Sequence, residues 1–310
     1  MAAYLERAWC KRWGILLVLL LLDVYGLNAT QLSITTQSWV LVGKELLLIA
    51  GLVMLLRVLP TMGLLTSEPA RVAARKVSQI LFVVLYLQLF FCLVVILTYW
   101  TIALRLPLID RHLDFIDRQL GFNWLACYRW VQSHRWLHLT FLVSYQSFQL
   151  QIAAVLFFTA LFSPQGRLNE FIGFMLTSCL IAVACAGFLP AQGTYFYYGL
   201  PHAAGAEIVS NFPLLYQHKL LTIDLSQAQG LVSMPSYHCS MAIFFVYAMR
   251  GSRWQLPVLL LNTVMILSTP FCGGHYLIDV LTGVLLSAAL IAWSRRKTSD
   301  VLERNALSIN

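Results

Sequence analysis

Two stretches distant in the chain combine histidine with small and polar residues: SMPSYHCSMA at 233–242 and STPFCGGHYLIDV at 268–280. Each stands at the head of an apolar run. His275 and Asp279 are four positions apart, so on a helix they share one face. Asp279 then accepts a ring N–H of His275, fixing the tautomer and making the other nitrogen the better nucleophile. Gly273 and Gly274 let backbone approach a ligand closely. His238, with Ser236 and Tyr237 just before it, offers a second imidazole for general acid–base work. Two histidines, one of them held by a carboxylate, suit phosphoryl transfer through a covalent phosphohistidine. In that scheme His275 attacks phosphorus, while His238 protonates the departing oxygen and then deprotonates incoming water or alcohol. It requires neither metal nor cofactor.

Other readings compete for the same residues. Taken singly, a histidine at a membrane edge is an ordinary hydrogen-bonded polar residue; the case for chemistry rests on all three together. Two histidines and a carboxylate also make a facial triad for iron or zinc. Asp23 and Lys44, inside apolar runs, fit either a transport pathway or a pair with each other, and the pair is the expectation. Ser233 and Ser236 serve as helix caps, a role compatible with contact to phosphate. In YQSFQLQ, Tyr145 and Gln149 share a helical face and either line a headgroup pocket or bridge helices. The remaining histidines, His112, His134, His138, His202 and His218, have no such company and are assigned no chemistry.

The elements that must position these residues are membrane spans. Of 310 residues, 59% are hydrophobic and only 11% charged, where a soluble domain carries about a quarter charged. Runs near the ~20 residues needed to cross a hydrocarbon core predict spans close to 13–29, 38–57, 79–104, 137–162, 170–189, 236–250, 255–269 and 277–294. The fold class is therefore an all-α integral membrane protein of about eight transmembrane helices. The sixth and seventh are short, as if they begin below the membrane surface. Fourteen of the 21 lysines and arginines fall on the side of both termini, against six on the other, with Lys44 within a span. That bias places both termini in the cytoplasm. The net charge of +8 flanks spans rather than covering a soluble face, so nucleic acid is not an expected partner. The N-terminal basic segment and apolar run read as a retained signal anchor, for no small-residue cleavage site follows.

On this topology Ser236–His238 and Gly274–His275 both lie at the non-cytoplasmic starts of spans. Two helix N-termini with free N–H groups and positive dipole ends then face one compartment, which favours a phosphate. Residues 105–136 mix charges and aromatics at helical spacing, predicting one or two interfacial helices on that side. Residues 190–235 read as an irregular, aromatic-rich loop. Lys219, the one lysine in the outer loops, is either a cation for substrate phosphate or an interfacial residue. The seven cysteines are expected as small buried residues, with a Cys239–Cys272 disulfide possible by position.

PSYH followed by HYLID resembles the signature of the type 2 phosphatidic acid phosphatase superfamily, which includes lipid phosphate phosphatases, glucose-6-phosphatase and vanadium haloperoxidases. SMPSxH with HYxxD is most similar to its inositol phosphorylceramide synthase and sphingomyelin synthase branch and the bacterial relatives of that branch. The resemblance implies a six-helix catalytic bundle with two extra N-terminal spans, and it implies the same roles for His238, His275 and Asp279. The phosphatase branch opens its signature with K-x6-RP and carries Ser-Arg six residues before the second histidine; this chain lacks the first and has Ser268-Thr269 at the second. Those departures favour the synthase-like branch.

The expectation is a metal-independent lipid phosphotransferase or lipid phosphate phosphatase, with anchor helices at 1–78, a catalytic domain at 79–297 and a cytoplasmic tail at 298–310. Its donor is a phospholipid, sphingolipid or polyprenyl phosphate, its acceptor water, an alcohol or a lipid. The substrate-binding set is Ser236, Tyr237, Gly274 and Lys219. The active site faces the periplasm, exterior or lumen, a bacterial inner membrane being favoured. The alternative is a non-catalytic lipid-binding or transport protein.

Overall fold

A computed structural model of the chain describes residues 2–200 and 210–307; His202 falls outside them. The elements run α1 (Ala2–Thr30), β1 (Ser33–Ile34), α2 (Thr36–Thr61), α3 (Glu68–Ala103), α4 (Asp110–Gln119), α5 (Trp124–Ser133), α6 (Arg135–Gln146) and α7 (Phe148–Phe162). They continue with α8 (Gln165–Phe188), α9 (Thr194–Tyr197), α10 (Phe212–Tyr216), β2 (Thr222–Ile223), α11 (Tyr237–Ala248), α12 (Gln255–Cys272) and α13 (Leu277–Leu307). Among the described residues six helices are long and apolar enough to cross a membrane, and α6 with α7 makes a seventh as a bent pair. An apolar helix closes its backbone hydrogen bonds internally, which is what a lipid interior demands. This is an all-α, multi-pass membrane protein.

Three expectations change in detail. The span at 137–162 is two helices bent by 46°. No proline or glycine causes the break. Ser147 bonds back to the Ser144 carbonyl at 2.6 Å and accepts from the Gln151 amide at 2.9 Å, so side chains enter the backbone ladder there. The sixth, expected to be short at 236–250, is α11, shorter still at 12 residues. Of the tail expected at 298–310, the part through Leu307 continues α13, and the rest lies outside the described residues.

The chain divides into two compact units, one of residues 1–106 and 210–231, the other of residues 107–209 and 232–310. The expected boundary at 78 falls inside the continuous helix α3, which belongs with α1 and α2. Asp23 of α1 accepts the Trp100 indole N–H at 3.0 Å and is not paired with Lys44, which is exposed. Gly26 makes this packing possible, because a Cβ there would stand 2.2 Å from the Trp100 ring. The returning segment adds β2, which pairs in parallel with β1 through Ser33–Thr222 and Ile34–Ile223. It also bonds to α3, where Tyr99 Oη accepts from Asn211 at 2.9 Å.

The second unit holds both histidine stretches. Its interfacial segment folds as two helices, α4 and α5, with Asn123 capping α5 through the Ala126 N–H. Trp124 of α5 stacks between Tyr128 and Tyr198. Its indole N–H donates to the Pro270 carbonyl at 2.9 Å, and Tyr195 donates to the Phe271 carbonyl. Those carbonyls lie in the last turn of α12, where helical partners run out.

Candidate active site

The start of α13 is fixed by carboxylates from α4. Asp117 accepts the Leu277 N–H at 2.7 Å and the Ile278 N–H at 2.9 Å. Burial pushes its carboxyl up to about 6 while the two amides act in the opposite direction. Asp110, also raised by burial, accepts from the Gln192 and Gly193 amides at 3.0 Å each and from the Tyr276 hydroxyl at 2.9 Å. The loop so anchored returns to the turn before α13, where the Thr194 N–H donates to the Gly274 carbonyl at 2.9 Å. Gly274 has φ +67° and the Tyr195 ring lies against its α-carbon. Both features call for glycine. Of the amides at the head of α13, those of Tyr276, Leu277 and Ile278 are thus taken by protein carboxylates.

His275 and Asp279 do meet, though not as neighbours on a helical face. His275 lies in the extended turn before Leu277. The contact arises because Asp279 Oδ2 gathers three groups: the Ser233 hydroxyl at 2.7 Å, the Tyr276 N–H at 3.0 Å and His275 Nδ1 at 3.3 Å. Asp279 is fully buried and His275 nearly so. With Nδ1 turned to the carboxylate, Nε2 is the nitrogen left for reaction.

His238 enters from α11. The Ser236 N–H donates to the Asp279 backbone carbonyl at 2.9 Å, and Ser240 is the first residue of α11 whose amide bonds back, to Ser236 O at 3.1 Å. The amides of Tyr237, His238 and Cys239 therefore precede the first intrahelical bond. Ser236 Oγ is buried beside them with no oxygen or nitrogen partner among the described residues. α11 and α13 touch through small residues: a Cβ on Gly283 would stand 2.5 Å from Ser236 O. Ser240 Oγ donates to Gly283 O at 2.9 Å, and Ser287 Oγ to Ser240 O at 3.2 Å, a contact typical of close helix pairs in lipid.

The imidazole of His238 lies between two rings. Tyr145 stacks on it at 4.4 Å and Phe148 packs at 4.2 Å. Tyr145 Oη is 3.5 Å from His238 Nδ1. A Cβ built on Gly273 would stand 2.6 Å from that same hydroxyl and 2.8 Å from His275 Cδ2. His275 and the tyrosine hydroxyl that meets His238 thus converge on one glycine.

Their level explains why α11 is short. Tyr145 lies ten positions into α6, and Met175, whose carbonyl accepts the Tyr237 hydroxyl, lies thirteen positions before the end of α8. At 1.5 Å per residue the histidine is recessed about 15–20 Å along its neighbours. The backbone before α11 descends to that depth inside protein, the condition under which irregular chain is tolerated there.

A family model for the PAP2 superfamily matches residues 111–293. The chain belongs to that superfamily. The comparisons with curated proteins and with solved structures returned no match. The PAP2 match begins at α4, within the second unit, and contains both histidine stretches. PAP2 membership points to phosphatase or phosphotransferase chemistry.

Within this PAP2 unit His238, His275, Asp279, Ser236 and Gly274 come together. Tyr237 does not join them through its hydroxyl, which goes to α8. Lys219 is exposed and belongs to the first unit. Tyr145 and Gln149 lie on either side of the Ser147 break; Gln149 is exposed, and the residue that bridges helices is Gln151, bonded to Asn262 at 2.6 Å. Cys239 and Cys272 are free thiols. Ser268 and Thr269 are buried in α12, each hydroxyl bonded to the Met265 carbonyl. The sequence reading gave no role to Asp110, Asp114 and Asp117. Their spacing of four and three was the available signal, a single acidic face on an otherwise amphipathic helix.

Proposed function

We propose that this protein is a lipid phosphotransferase working through a phosphohistidine, with hydrolysis as the same chemistry when water replaces the acceptor. The observation that carries the reading is that His275, its Nδ1 held by Asp279, and the Tyr145 hydroxyl that meets His238 Nδ1 close on one point over Gly273. His275 Nε2 attacks phosphorus as the bond from phosphorus to the leaving oxygen breaks, and His238 delivers its proton to that oxygen. The imidazole of His275 gains positive charge in the adduct, which Asp279 offsets. An acceptor hydroxyl then gives its proton to His238, its oxygen bonds to phosphorus, and the P–N bond breaks. Nonbridging oxygens face the Ser236 hydroxyl and the first amides of α11. The step needs no metal.

Neutral Ser268 and Thr269 stand where the related phosphatases carry Ser-Arg. A monoanionic diester asks for less compensating charge than a dianionic monoester, which favours transfer from a phospholipid or sphingolipid donor over simple hydrolysis; polyprenyl phosphates remain in the substrate class. A recessed site suits a lipid entering sideways from the non-cytoplasmic leaflet. Both termini lie in the cytoplasm, and the bacterial inner membrane is the favoured location. The test is turnover of labelled lipid donors by purified protein in vesicles, with His238→Ala and His275→Ala as controls. Each substitution should abolish turnover in protein that still unfolds cooperatively, and alkaline detergent quench of the wild type should trap label as an acid-labile, base-stable phosphoenzyme. A His275→Ala protein with near-wild-type turnover would refute the mechanism.

A further inference from the structure

The geometry points to Tyr145 as a substrate-contacting residue, its hydroxyl donating to a nonbridging oxygen of the phosphoryl group held between the two histidines. This rests on the phosphohistidine reading. Tyr145 comes from α6, far in sequence from both histidine stretches, yet its hydroxyl is 3.5 Å from His238 Nδ1 and shares the space over Gly273 with His275 Cδ2. Its ring stacks on His238 with the planes only 18° apart, so the hydroxyl is carried to that position by a rigid aromatic contact. At 3.5 Å the bond to Nδ1 is at the limit of hydrogen-bonding distance, and among the described residues the hydroxyl has no shorter hydrogen-bond partner. A donor so placed is available to an incoming acceptor.

The surrounding chemistry gives such a donor a purpose. Of the described arginines of the second unit, Arg118 is engaged by Asp114, Arg250 by Glu170 and Arg167 by the Arg250 carbonyl, and Arg111, Arg129, Arg135, Arg253, Arg295 and Arg296 are exposed. The reacting group would then be stabilised by neutral donors: Ser236, the first amides of α11 and Tyr145. A prearranged neutral donor aimed where charge develops acts without reorganisation. Gly273 has a matching role, since any side chain there would strike the hydroxyl.

The test is Tyr145→Phe, which keeps the ring on His238 and removes only the hydroxyl. Orthovanadate, a tetrahedral oxyanion that becomes five-coordinate when a nucleophile binds it and so mimics the transferring phosphoryl group, serves as probe, with binding to the purified full chain followed by vanadium NMR. Thermal midpoints are measured in parallel. The expected result is binding by wild type, loss of binding in His275→Ala, and affinity about ten- to a hundredfold weaker in Tyr145→Phe at an unchanged midpoint. With lipid donors the same variant should lower kcat more than it raises KM. Tyr145→Phe binding within twofold of wild type, while His275→Ala loses binding, overturns the inference and leaves the phosphohistidine reading standing. Equal binding by wild type and His275→Ala overturns both.

Discussion

Asp279→Asn removes charge while nearly preserving shape. In the native protein Oδ2 lies 3.3 Å from His275 Nδ1 and also holds the Ser233 hydroxyl and the Tyr276 N–H. When His275 takes the phosphoryl group, its ring becomes cationic beside that oxygen. For unit charges at 3.3 Å, an effective dielectric of about 20 gives roughly 5 kcal/mol. Measured hydrogen bonds to charged groups fall lower, at about 1.5–3 kcal/mol. The loss should therefore lie between about tenfold and a few thousandfold, with about 150-fold as the middle expectation. An asparagine carbonyl at the Oδ2 position keeps the bonds from Ser233 and Tyr276, and its amide falls at Oδ1, which is buried without a partner. That arrangement costs on the order of 1–3 kcal/mol of stability and should lower the thermal midpoint without unfolding the protein. The assay is single-turnover phosphoryl transfer from labelled lipid in vesicles, which isolates formation of the adduct from product release. Ser233→Ala, which loosens the carboxylate without discharging it, should fall within about tenfold of wild type. Asp279→Asn turning over within threefold of wild type would show that no cation develops on His275, and the nucleophile assignment would fail.

Two further outcomes follow from packing and charge. Gly283→Ala places a methyl where Ser236 O already stands, 2.5 Å away; α11 must move off α13, at a cost of about 1–3 kcal/mol. Turnover should drop although no reacting group has changed, and full activity would show that the contact is not needed. The raised carboxyl of Asp117, at about 6, makes stability depend on pH. Between about pH 4 and 6 the folded state keeps a proton that the unfolded chain has released, so the Asp117 contribution falls as pH rises through that window, by up to about 1.4 kcal/mol per unit. The thermal midpoint of wild type should therefore fall relative to that of Asp117→Asn as pH rises across that range, and parallel curves or the opposite trend would contradict the assignment.

Much of the fold is legible in the chain because a membrane span is a local property. Twenty apolar residues are visible without knowing their neighbours, and α1, α2, α8 and α13 lie close to where hydropathy puts them. The bend between α6 and α7 is less visible, since Ser147 distorts the helix through bonds to Ser144 and Gln151 rather than through proline or glycine. The expectation of free amides at α13 fails for a nonlocal reason: the carboxylate that occupies them belongs to Asp117, 160 positions earlier than Leu277. Likewise the boundary placed at 78 separates by hydropathy what contact joins, for α3 packs on α1 and α2.

Residue type and short spacing were enough to single out His238, His275 and Asp279, because imidazoles and carboxylates embedded in apolar sequence are costly and stand out. Folding alone brings the two histidine stretches together, since α11 and the turn before α13 are joined through Gly283 and Asp279. Folding alone also sets Tyr145 against His238, where the sequence left it between a headgroup pocket and a bridge of helices. An ordinary tyrosine acquires its place because a helix from elsewhere in the chain presses its ring against an imidazole, and contacts of that range leave no local pattern to read.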